Sequence, residues 1–225
     1  MKRLFTNNTI YHIYNRGARK SEIFRNDMDR HRFIELLGWH QKYKYPYSSF
    51  LTRMNEATSP NKKETEKIIG TYHKHSPIPV EIYTYALMPN HFHLLIKQLS
   101  SGGITLFMRE LAIGYALYFN RKNNESGSVF QGRFKFVEIK TGEQFLNVAR
   151  YIHRNPIESN LVENLEQLQK YRWTSYSEYF TPNLQNTVTK TNELLNYFTD
   201  IQDLASFTGS SNQVDIDKQL TFDGG

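Results

Sequence analysis

The chain has 225 residues, 39% hydrophobic and 14% aromatic with no cysteine, which suits one folded domain and excludes disulfides, thiolate zinc sites and cysteine nucleophiles together. No apolar run approaches the roughly 18 to 20 residues that span a bilayer, and the start Met1-Lys-Arg-Leu-Phe5 lacks the apolar centre of a secretion signal, so a cytoplasmic protein is expected. The net charge of +6 is uneven: residues 1 to 180 hold 26 Lys/Arg against 16 Asp/Glu, while residues 181 to 225 hold 2 against 6, so the basic body favours a polyanionic partner.

In chain order, Thr9 to Asn15 is rich in β-branched and aromatic residues and stops at Arg16-Gly17, a strand closed by a turn. Asp27 can cap a helix whose apolar positions Phe33, Leu36, Leu37 and Trp39 recur at helical spacing. Residues 41 to 78 are mostly polar and read as an insertion carrying no chemistry. Val80 to Met88 and His91 to Lys97 form two strands around a Pro89-Asn90 turn. Leu106, Phe107, Leu111, Ala112 and Tyr115 trace an amphipathic helix, which Asn123 to Gly127 breaks. Arg133 to Ile139 alternates as a half-buried strand. Thr141 with Gln144 then opens a helix expected to end near Asn155, before Pro156.

This order predicts an α+β, ferredoxin-like (RRM-like) antiparallel sheet with helices on one face and the opposite face free to bind. Residues 1 to 185 form the expected catalytic domain, and residues 186 to 225 an acidic helical appendage with a loose tail.

Two constellations can carry chemistry. His91 and His93 stand two apart in a strand and so share a face, as a metal-binding pair does, although an isolated His-x-His is often only surface polarity. Tyr151 and Asn155 stand four apart on a helix, one turn from each other, although a core tyrosine and a C-terminal cap would look the same. Together they supply what a nuclease needs: ligands for a cation that polarises a phosphate, and a nucleophile that can store the bond as a phosphotyrosine. His153 or a water could assist the phenol. Arg16, Gln131, Arg133, Lys135 and Arg154 are candidates for holding DNA phosphates, each equally readable as a solvated surface group. Tyr14, Tyr83, Tyr85, Phe130 and Trp173 could stack on unpaired bases or lie in the core, whereas Tyr115 and Tyr118 belong to an apolar helical stripe.

The segments Tyr11-His-Ile-Tyr-Asn-Arg-Gly17, Tyr85-Ala-Leu-Met-Pro-Asn-His-Phe-His-Leu-Leu95, Gly127-Ser-Val-Phe-Gln-Gly-Arg-Phe-Lys135 and Ala149-Arg-Tyr-Ile-His-Arg-Asn-Pro156 resemble the single-tyrosine HUH transposases, especially their REP-associated branch. The resemblance covers roughly residues 5 to 180 and implies Tyr151 as nucleophile with His91, His93 and Asn155 as metal ligands. It further implies Mg²⁺ or Mn²⁺, single-stranded DNA with a hairpin as partner, a 5′-phosphotyrosine intermediate, and a homodimer or a monomer. A non-catalytic nucleic-acid-binding protein of the same fold, and an HUH replication initiator or relaxase, are the competing readings.

Overall fold

Strand β1, Ile10–Arg16, organises the molecule through its period-two alternation: Tyr11 and Ile13 enter one hydrophobic core, while His12 and Tyr14 face the other side. In the computed structural model, which describes residues 5–43, 46–56, 67, 70, 80–181 and 187–210, β1 lies inside a four-stranded sheet of order β2-β3-β1-β4. The partners are β2 (Val80–Met88), β3 (His91–Gln98) and β4 (Lys135–Ile139), and every pairing is antiparallel. This is the expected ferredoxin-like order. The one irregularity lies at Tyr83, where Ile82 pairs with Ile96 and Thr84 with Leu95. The extra residue flips the alternation, so that Ile82 and Tyr85 reach the same core while Tyr83 joins the opposite one.

Helices α1 (Asp27–Lys42) and α3 (Gly103–Asn123) cover the Tyr11 face, packing Phe33, Leu37, Phe107, Leu111 and Tyr115 against Phe92 and Leu94. The α1 cap is Asn26 rather than Asp27: Asn26 has extended backbone and its side chain accepts from the Asp29 amide at 3.2 Å. Asp27 sits inside the first turn, where its carboxylate still favours the helix dipole. Short helix α2, Tyr47–Glu56, follows α1, with Tyr47 and Phe50 against Trp39. The remainder of the polar stretch, apart from residues 67 and 70, lies outside the described residues.

The opposite face is not open, as expected, but partly occupied. Helix α4, Gly142–Glu158, lays Phe145, Val148, Ala149 and Ile152 on Tyr83, Ala86, Leu95 and Ile139, a second core separate from the first. Its strong apolar stripe has nowhere else to be buried. Its start matches expectation, with Thr141 Oγ1 accepting from the Gln144 amide at 3.1 Å and Gln144 Oε1 from the Lys140 amide at 2.8 Å. Its end does not: the helix passes through Pro156 to Glu158, because a proline in the last turn forfeits only its own donor while the Ser159 amide still reaches Asn155 O at 3.0 Å.

Beyond α4, helices α5 (Leu165–Lys170) and α6 (Tyr176–Phe180) return the chain to the outer edge of β2. There Leu87 donates to Trp173 O at 2.8 Å and Ser175 to Tyr85 O at 2.9 Å, which covers an exposed sheet edge. Helices α7 (Thr191–Leu195) and α8 (Ile201–Gly209) bury Leu194 and Leu204 in the second core. Among the described residues no helix is long and apolar enough to cross a membrane.

Candidate active site

The site begins at the β2–β3 turn, which is clamped from outside. Pro89 O accepts from the amides of Ile23 and Phe24, both at 2.9 Å, and Asn90 O from Gly17 at 2.8 Å. Gly17 is required there, since a Cβ would fall 2.1 Å from Ser21 O. The clamp fixes where β3 starts, and His91 and His93 leave its first turn of pleat on the same face with ring centroids 5.1 Å apart.

Strand β1 adds a histidine that sequence reasoning missed. Its register places Tyr14 opposite His93 and Arg16 opposite His91, so His12, Tyr14 and Arg16 share the histidine face. His12 and His93 are fully buried, and His12 Nε2 and His93 Nδ1 share a hydrogen bond of 2.9 Å. The available signal was the polar stripe His12, Tyr14, Arg16 facing away from apolar Tyr11 and Ile13.

Helix α4 completes the set. The Tyr151 ring meets His93 edge-on at a centroid distance of 5.4 Å and His12 at 6.0 Å. Asn155 follows one turn later, buried, with its Nδ2 donating to Tyr151 O at 2.9 Å, so the group it can offer a cation is Oδ1. Thus the structure brings Tyr151, His91 and His93 together and places Asn155 on the same helical face as Tyr151.

Electrostatics favour neutral donors here. Burial holds the His93 imidazole well below its ordinary range, with the neighbouring His12 and His91 pushing the same way. Neutral imidazole is the form that binds metal. Burial also raises the Tyr14 phenol. Among the described residues no group of three or more His, Cys, Asp or Glu is arranged to hold a metal ion, and the donors this face can offer one are the His91 and His93 imidazoles with the Asn155 amide oxygen. Such a set fits Mg²⁺ or Mn²⁺ and leaves positions open for phosphate and water oxygens.

Four of the five residues expected to hold DNA lie together. Arg16, Gln131, Arg133 and Lys135, with Asn15, line a cleft of about 60 Å³, and Arg16 Nε donates to Gln131 Oε1. Lys135 pairs with Tyr14 and Arg16 with His91, so this cationic cleft adjoins the histidines. Arg154 does not belong to it: its guanidinium is held by Glu158 at 2.8 Å and by Thr208 O at 2.9 Å, near the carbonyl end of α8.

His153 is likewise corrected. It is fully buried, its Nε2 lies 3.1 Å from Ser175 Oγ, its ring packs on Tyr176 and Tyr179, and burial lowers it to about 3, so it ties α4 to the returning segment and offers no base to Tyr151. Tyr14, Tyr83, Tyr85, Phe130 and Trp173 are all buried, and Tyr85 OH donates to Glu178 at 2.8 Å, which makes them packing residues rather than base platforms. Tyr115 and Tyr118 are structural as expected, donating to Ile23 O and Asp29 Oδ1.

Residues 50–155 match the family model described as Transposase IS200 like, a span that holds His91, His93, Tyr151 and Asn155 and excludes β1. No curated protein matches. A solved structure described as "Structure of the REP associates tyrosine transposase bound to a REP hairpin" is similar in fold, with a TM-score of 0.49 and 15% identity over 90% of this chain and 94% of that one. The whole histidine, tyrosine and asparagine set lies inside the span that is similar to the IS200-like transposase family.

Proposed function

We propose that this chain is a DNA transposase that cuts and rejoins single-stranded DNA beside hairpins through Tyr151, with Mg²⁺ or Mn²⁺ held by His91, His93 and Asn155. The observation that carries the reading is the Tyr151 ring seated 5.4 Å from His93, on the face the histidine pair presents. The hairpin, and the REP-associated branch within the family, come from the resemblance of the sequence motifs.

The Tyr151 phenol oxygen attacks the scissile phosphorus, a P–O bond to tyrosine forms, and the P–O3′ bond breaks to leave a 5′-phosphotyrosine and a free 3′-OH. The phenol proton passes to water and the departing 3′ oxygen takes one up, since His153 is sealed off. A divalent cation, when bound, supplies positive charge to the phosphate and favours the phenolate. Arg16, Gln131, Arg133 and Lys135 hold the strand by its backbone. Attack by a 3′-OH on the phosphotyrosine reverses the step and joins strands.

The test is a labelled single strand carrying a hairpin. Tyr151→Phe is expected to lose cleavage and the covalent adduct entirely, Tyr118→Phe to keep both, and EDTA to abolish both in the wild type. Cleavage retained by Tyr151→Phe overturns the assignment.

A further inference from the structure

The two candidate ligand histidines differ in how they are held, and the difference exposes a role for His12. His91 Nδ1 lies 2.6 Å from Asn90 Oδ1, and Asn90 in turn directs its Nδ2 to Lys20 O at 3.3 Å, which fixes the amide with its oxygen towards the ring. His91 therefore donates from Nδ1, and the nitrogen it can offer a cation is Nε2. At His93 Nδ1 the contact is of another kind. Its partner is another imidazole nitrogen, His12 Nε2, at 2.9 Å.

Between two neutral imidazoles that contact holds one proton, and the two ways of placing it have opposite consequences. If His12 Nε2 donates, His93 is protonated at Nε2 and cannot bind metal there. If His93 Nδ1 donates, His12 is the acceptor, with its own proton on Nδ1, and His93 presents the Nε2 lone pair. We propose that His12 is a positioning residue: it accepts from His93 Nδ1, as Asn90 accepts from His91 Nδ1, and so holds both histidines in the tautomer that turns Nε2 to the cation. This rests on the metal-dependent reading above. Supporting partners of this kind orient a ligand ring and raise its basicity. Burial on a central strand supplies the rigidity, because His12 sits on β1 between β3 and β4 and is fully enclosed.

Long-range ¹H–¹⁵N spectra of the ¹⁵N-histidine-labelled full chain, recorded in Mg²⁺ without DNA, read the tautomers directly. The expected result is protonated Nδ1 on His91 and His93 and a proton-free Nε2 on His12; a proton on His12 Nε2 overturns the proposal. Mn²⁺ binding, followed by electron paramagnetic resonance without DNA, provides the second readout. His12→Ala is expected to weaken Mn²⁺ binding about 10- to 100-fold, and His12→Gln, which keeps an acceptor, to restore most of it. Wild-type affinity in His12→Ala overturns the proposal while His93→Ala still binds weakly. Equal binding by wild type and His93→Ala overturns the metal reading itself, and the positioning role with it. If His12→Ala does not fold, the spectra of the wild type decide.

Discussion

The two faces of the sheet are built from the same strands to opposite ends. Towards α1 and α3, β1 and β3 present Tyr11, Ile13, Phe92, Leu94 and Ile96, a continuous apolar surface in one core with Phe33 and Phe107. Towards α4, the intervening residues are His12, Tyr14, His91 and His93, with Leu95 and Ile10 only at the far end of the strands. The first face gains stability from each buried side chain. The second buries imidazoles, which cost free energy unless hydrogen-bonded and held neutral. The helix that seals it is thereby forced to split its contacts: α4 packs apolar residues where β2 and β3 are apolar and offers Tyr151 where they are not. Stability and chemistry are separated by one residue of strand register.

Substitutions of neighbours on β3 test that separation most strongly. Leu94→Ala should lower unfolding free energy by about 2 to 5 kcal/mol while sparing the cleavage rate of folded molecules. His93→Leu should cost less stability, about 1 to 3 kcal/mol from stranding His12, yet lower cleavage by more than about 100-fold. Urea melts and single-turnover cleavage separate the two effects, and equal activity losses would erase the distinction between the faces.

A polar group on the apolar side sharpens the comparison next. Burial lowers His40 from 6.5 to about 4, against the opposing pull of Glu110. The unfolded chain therefore takes up this proton first as pH falls below 6.5, so stability present at neutral pH is lost between about 6.5 and 4, roughly 2 to 3 kcal/mol by pH 4.5. His40→Leu should flatten that part of the stability profile relative to wild type, measured by urea unfolding at pH 7 and 4.5. An unchanged pH slope would mean that His40 is not held neutral.

The smallest effect expected is at the cationic cleft. Lys135→Ala should weaken single-strand binding and reduce the salt slope by about 0.7, whereas Arg154→Ala should leave the slope alone and loosen α8. A slope change in Arg154→Ala would return that residue to the DNA-binding group.

Much of the fold was legible because its determinants are short-range. The β2–β3 hairpin follows from alternation around Pro89-Asn90, the start of α4 from Thr141 and Gln144, and the pairing of His91 with His93 on one face from strand geometry alone. The errors share a cause. Pro156 marked a boundary by local rule, yet later amides and carbonyls carried the helix through it. Arg154 and His153 sat beside the motif in sequence but point into contacts with α8 and Ser175, which periodicity cannot show.

By itself, then, the sequence determined the elements, their order, and which residues each could present together, because dihedral preference, capping and periodicity act within a few positions. Only the tertiary structure decided that α4 closes the second face, that Tyr151 meets His93, and that His12 joins His93 across 81 positions of chain. Those contacts depend on strand register and on which surface a helix must bury, and both are settled only when distant segments pack.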